Sequence, residues 1–486
     1  MLISFIVLYL MASIAIGLYA ATRVKNTADY AVAGRSLPLA VVIATTFATW
    51  FGSETVLGVP GQFVKENLGG IVEDPFGAGM CLILVGFFFA RKLYRRNIIT
   101  IGDYYRQRYG ALIEVLCSII IIFSYLGWVG AQVTALGLVF NLLSQGAISV
   151  AWGMAIGTLV VLVYTLYGGM WSVALTDFVQ MIVITVGLLA IAWFAAGMAG
   201  GADKVIDYAA REGKFQFLPT GGLKEWLFFI GAAITMMLGS IPQQDVFQRV
   251  NSSKNETIAV WGTTLGGVSY FFFAAVPLFL AYTANIIDPG MVERLMEEDS
   301  QLILPTLILQ YMPFYAQVIF FGALLSVIMS TASGTLLAPS VTFSENVLRG
   351  FFPGMGDRVF LMSTRITVVV FTVLVTWYAT STESTIHQMV ENAYRVTLAG
   401  AFVPLAAGLF WKRANNLGAA LAIILGLSTW ILFELFVPEG DVEPQLYGLA
   451  ASALGMLVGG LLGPKPHHRP HMGGHHAAAG TYHTHR

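Results

Sequence analysis

The sequence predicts an all-α integral membrane protein of about thirteen spanning helices, ten of them forming two five-helix repeats of opposite orientation. Three observations carry this. Of 486 residues, 57% are hydrophobic and 11% charged, against about 25% charged in an ordinary soluble protein. Apolar segments long enough to cross a bilayer, about 20 residues each, recur thirteen times. Two of those segments, five apart in order, carry Gly-Ser and proline in their middles. An odd offset sends the two through the bilayer in opposite directions, as inverted repeats with discontinuous helices require.

The elements follow in chain order. Segment 2–21 has no basic flank before it and no cleavage site, so it reads as a retained helix and not a signal peptide. Segment 38–62 contains "WFGSETVLGVPG", where Gly52, Ser53, Gly58 and Pro60 interrupt the helix. Segments 70–90, 112–143, 149–167 and 172–199 complete the first repeat, 38–199. The second, 224–411, opens with 224–248, broken at "MMLGSIPQQ" by Gly239, Ser240 and Pro242. It continues through 258–286, 302–347, 359–380 and 386–411. Segment 302–347 is too long for one straight crossing, and Pro305, Pro313 and Pro339 offer places to bend. Two further helices, 417–437 and 444–463, close a single transmembrane domain over 1–463. The tail 464–486 holds seven of the eight histidines and reads as a disordered end with incidental affinity for transition metals.

Loop charge sets the orientation. The odd-numbered loops and the tail hold nineteen Lys and Arg, the even-numbered loops six together with acidic "EEDSQ" and "VPEGDVEP". Basic residues favour the cytoplasm, so the N-terminus is expected outside and the C-terminus inside, in the cytoplasmic membrane. The net charge of −1 gives no surface for nucleic acid. Cys81 and Cys117 lie in apolar runs and read as small buried hydrophobes, not a disulfide or metal pair.

At a broken helix, carbonyls released from the helical ladder face a cavity and can hold a cation, while half-helix ends orient a solute. Val327, Ser330 and Thr331 in "LLSVIMSTASGT" share a helix face by their i, i+3, i+4 spacing, and Ser333 continues the hydroxyl row. Hard cations want several oxygens; equally, such hydroxyls join membrane helices. Ionisable residues within spans are functional candidates: Asp177, Glu54, and Glu391 with Arg395 at i, i+4, either an ion pair or a gate. Asp245 and Arg249 have the same pairing interval.

With "DYAVAGRSLP", the broken helix ending "GVPG", "TIGDYYRQRYG", "YTLYGGMWSVALTDFVQ", "IPQQDVFQRV" and "VIMSTASGT", the chain resembles the sodium:solute symporter family from about residue 28 to 340. The resemblance implies the leucine-transporter-like inverted repeat and Na+ as coupling ion. It implies a sodium site of the backbone carbonyls of Ala48, Phe51 and Val327 with the hydroxyls of Ser330 and Thr331. A second sodium would use Asp177 and Ser333, but Gly334 stands where a further hydroxyl is expected. Local motifs are most similar to the choline-transporter and proline-symporter branches. Trp50 and Trp128 match two positions of an aromatic cage for a quaternary ammonium, whereas Ala78 and Gln243 stand where two other aromatics are expected. Trp50, Glu54, Thr55, Trp128 and Gln243 are the pocket candidates.

The expected function is sodium-coupled import of a small organic solute by alternating access, the solute being an amino acid, a quaternary ammonium or a small carboxylate. Coupling to a proton through Asp177 or Glu54, and a transporter-like receptor, are the alternatives. No nucleophile–base set points to an enzyme, and no obligate protein partner is expected.

Overall fold

The computed structural model describes residues 1–465; the histidine-rich tail, and the metal affinity read from it, lie outside the described residues. The described residues are helical and irregular apart from one isolated bridge between Leu37 and Ser253. We label the long helices α1 (Leu2–Ala21), α2 (Leu39–Trp50), α3 (Glu54–Lys65), α4 (Leu68–Tyr94), α5 (Ala111–Leu143), α6 (Val150–Met198), α7 (Leu223–Gly239) and α8 (Gln244–Ser252). There follow α9 (Glu256–Ile287), α10 (Phe314–Phe351), α11 (Asp357–Ser381), α12 (Ile386–Gly400), α13 (Phe402–Phe410), α14 (Asn416–Phe436) and α15 (Pro444–Leu462). Nine of these are long and apolar enough to cross a membrane, or twelve segments if each of three bent pairs is one span.

Both breaks expected from glycine and proline are present. α2 and α3 meet at 53°, α7 and α8 at 44°. A third bend of 46°, between α12 and α13, was not anticipated. Pro404 has no N–H to close the turn there, and the side chains of Tyr105 and Tyr109 donate to the carbonyls of Ala401 and Pro404 at 2.8 and 2.7 Å. Segment 302–347 resolves into a short helix, Ile303–Tyr311, and α10, parted at Met312 and Pro313, while Pro339 lies inside α10.

Segments 149–167 and 172–199 form one 49-residue element, α6, interrupted by the non-helical backbone of Gly169 (φ 51°, ψ −135°). That φ is costly for any side chain. A Cβ there would also fall 2.4 Å from the Tyr30 carbonyl oxygen.

α10 is the central post, its most apolar stretch 83% buried, whereas α1 and α14 are each 22% buried and belong to the periphery. α14 and α15 pack on each other through glycines: a Cβ on Gly459 would fall 2.5 Å from Gly418 Cα, so only small residues allow the approach.

Candidate functional site

The first break exposes backbone that must be satisfied inside the protein, because hydrocarbon offers no partners. The Ser53 N–H donates to Gln132 Oε1 on α5 at 3.0 Å. The carbonyls of Ala48 and Phe51, at the end of α2, accept from Thr331 Oγ1 on α10 at 3.0 and 3.3 Å. At the adjoining position of α10, Ser330 Oγ donates to the carbonyl of Val327, one turn before it, at 3.0 Å. The Ala48 and Phe51 carbonyls and the Thr331 hydroxyl thus meet at the contact of α2 with α10, while Ser330 and Val327 bond to each other within α10. These residues are all buried. Neutral oxygens converging in a dry interior suit a hard monovalent cation. Gly52 is part of the arrangement, since a Cβ there would fall 2.8 Å from Thr331 Oγ1.

Asp177 is separate from this set. Its Oδ2 accepts from Thr45 Oγ1 at 2.6 Å and faces Arg249 Nη2 at 3.8 Å. Ser333 Oγ donates to the Ser330 carbonyl at 3.0 Å. The i, i+4 pairing of Asp245 with Arg249 does not form as an ion pair. The guanidinium reaches only the Asp245 backbone oxygen, at 3.0 Å, while the Asp245 carboxylate accepts from Tyr125 at 2.7 Å. The carboxylate of Asp177, on a neighbouring helix, is the nearer counter-charge.

Trp50 and Trp128 meet beside the break, with Tyr394 of α12 as a third ring. The three centroids are mutually 5.8 Å apart, tilted or edge-on. All three rings are buried, and neither indole N–H has a hydrogen-bond partner. Sequence reasoning missed Tyr394, which lies 344 residues from Trp50 and carries no local mark of its role. Gln243 closes one side: its amide reaches Ser124 Oγ at 3.0 Å and Thr397 Oγ1 at 3.4 Å, a turn along from Trp128 and Tyr394 respectively.

Glu54 closes the other side. Its Oε1 lies 2.5 Å from His387 Nδ1, two turns before Tyr394 on α12. His387 is the one histidine outside the tail, and sequence reasoning gave it no role. Thr55 donates to the Trp50 carbonyl at 3.1 Å and lies 3.3 Å from the Tyr270 hydroxyl, which in turn binds Asp74. Glu391 and Arg395 pair at 2.5 Å, and Arg395 also meets Glu434 at 3.3 Å and Glu443 at 3.8 Å. That network ties α12 to α14 and to the start of α15.

The comparisons with known proteins agree with this architecture. The pattern of the Sodium:solute symporter family matches residues 30–426. The human high affinity choline transporter 1 is 30% identical over 463 residues, covering 92% of this chain and 77% of the relative. The sodium/proline symporter of Haemophilus influenzae is 24% identical, covering 94% of each. Among solved structures, a Na+-coupled sialic acid symporter superposes with a TM-score of 0.80 at 18% identity, over 96% of this chain and 98% of that one. A nucleobase-cation-symport-1 family transporter gives 0.60 at 15% identity, over 91% and 98%. These neighbours have the leucine-transporter fold and are transporters, not enzymes. The chain is a multi-pass membrane protein of the sodium:solute symporter family.

Proposed function

We propose that the chain is a sodium-coupled symporter that imports a small organic cation across the cytoplasmic membrane. Sodium binds to Ala48, Phe51, Val327, Ser330 and Thr331. The solute binds beside it at Trp50, Trp128 and Tyr394, between the Glu54–His387 and Gln243 closures. Sodium and solute then favour each other's binding, as coupling requires, and a membrane potential contributes about 2.3 kcal/mol per charge per 100 mV. A cation is favoured as solute, because aromatic faces attract an ammonium group and three rings meet at the break. The observation that carries the reading is the meeting of the Thr331 hydroxyl with two carbonyls of a broken helix, next to three rings that include two unpartnered indole N–H groups.

Thirteen crossings belong to this reading. α6 would be about 74 Å long as a straight helix, more than twice a hydrocarbon core of about 30 Å, so Gly169 divides it into two. Two repeats, 38–199 and 224–411, then place the N-terminus outside and the C-terminus in the cytoplasm. The single transmembrane domain of 1–463 and the bilayer around it are part of the same proposal.

The experiment is uptake into proteoliposomes under an inward sodium gradient. The panel holds choline, betaine, primary amines, proline, neutral amino acids and small carboxylates, with Ser330→Ala as control. Sodium-driven uptake of a cation, lost in the control, is expected. Uptake of carboxylates alone would overturn the solute class, and uptake driven equally by potassium would overturn the sodium site. Coupling to a proton is the second reading, favoured by the 2.5 Å contact of His387 with Glu54. Under it, a proton gradient alone drives uptake and Glu54→Gln abolishes that drive.

A further inference from the structure

The position expected to bring a further hydroxyl to a second sodium is Gly334, and the structure shows what lies against it. A Cβ at Gly334 would fall 2.2 Å from Arg249 Nη2 and 3.1 Å from both Cζ and Nη1. The edge of the guanidinium at Nη2 therefore occupies the volume a serine side chain would take beside α10. Arg249 reaches there from α8, the second half of a broken helix, and both it and Asp177 are buried, at 1% and 0% exposure. Nη2 faces Asp177 Oδ2 at 3.8 Å and Nη1 donates to the Asp245 carbonyl at 3.0 Å.

We propose that Arg249 is a tethered cation standing where a second sodium would bind, so that the chain binds and carries a single sodium. The inference rests on the sodium reading above. Three features support it together. The hydroxyl needed at 334 is missing, its space is filled, and the group filling it already carries the positive charge that Asp177 would otherwise draw from a sodium. A second sodium beside the guanidinium would put two positive charges against one carboxylate in a dry interior, where like charges repel far more than in water. Gly334 and Arg249 are coupled on this view: the glycine admits the guanidinium, and the guanidinium removes the need for the hydroxyl.

The test is equilibrium binding of radioactive sodium to the purified full-length chain, counted per polypeptide. The wild-type chain is expected to bind one sodium with a Hill slope of one, and the Thr331→Val variant to bind it about 10- to 100-fold more weakly. The double variant Gly334→Ser with Arg249→Gln, which frees Asp177 and restores the hydroxyl, is expected to bind two. Two sodium ions on the wild-type chain would overturn the proposal, as would a folded double variant that still binds one. Should the double variant not fold, the wild-type stoichiometry decides alone. No sodium bound to the wild-type chain would overturn the sodium reading itself, and is told apart from the other failures by the absence of any saturable signal.

Discussion

The Ser53 N–H and Gln132 Oε1, 79 residues apart in sequence, meet at 3.0 Å and close the backbone gap left by the first helix break. Removing the acceptor leaves a buried donor unsatisfied, which costs about 1–3 kcal/mol. Gln132→Leu is therefore expected to lower the thermal unfolding temperature in detergent. Gln132→Glu, which keeps an acceptor oxygen, should be milder. Equal loss in both would show that shape and not the hydrogen bond is at stake.

Thr331 offers one oxygen to two carbonyls of the broken helix. Thr331→Val keeps the volume and removes that oxygen. A loss of about 10- to 100-fold in apparent sodium affinity is expected, corresponding to about 1.4–2.8 kcal/mol. Thr331→Ser should retain most of the affinity. Sodium titration of initial uptake rates checks both, and an unchanged half-saturation in the valine variant would remove Thr331 from the site.

Gly169 carries a backbone conformation that side chains avoid, with the Tyr30 carbonyl oxygen 2.4 Å from the site of a Cβ. Gly169→Ala is expected to cost at least about 1–3 kcal/mol from backbone strain, with the clash in addition. Gly197, exposed on the same element with nothing within 4 Å of a Cβ, is the matched position. Gly197→Ala should leave folding yield unchanged, and a similar loss of yield in both variants would contradict the argument.

Asp288 caps the helix Pro289–Glu298 by accepting from the Met291 N–H at 3.0 Å, and it also accepts from the Tyr311 hydroxyl. The hydrogen bond from Tyr311 is the larger cause holding its carboxyl below the ordinary carboxylate range, with the Met291 N–H next. A depressed carboxyl stabilises the fold at pH above its unfolded value, and the contribution is lost as pH falls through the folded value. The protection factor of the Met291 amide against exchange should therefore be high at neutral pH and fall only under acid. In Tyr311→Phe that change should move to higher pH; no movement would show that the tyrosine does not hold the carboxylate.

Much of the architecture was legible because membrane insertion reads local sequence. Twenty apolar residues suffice to make a spanning helix whatever they later touch, and glycine with proline at 52–60 and 239–242 opens a helix by its own stereochemistry. The bend after Gly400 escaped notice because Pro404 is a single proline in an apolar run. What holds that bend open is a pair of tyrosine hydroxyls contributed from residues 105 and 109.

The sequence by itself determined an all-helical membrane protein, the two breaks at Gly-Ser, and, by family pattern, the residues offered as a sodium site. It also marked Gly334 as a departure, from the type of one residue. Only the tertiary structure decided which side chains complete those features. Gln132 reaches Ser53, Tyr394 completes the rings of Trp50 and Trp128, His387 covers Glu54, and Arg249 turns from its i, i+4 neighbour Asp245 to Asp177 and Gly334. The physical reason is the same in each case. A buried polar or charged group takes the partner that packing brings within reach, and in this chain those partners come from helices far apart in sequence.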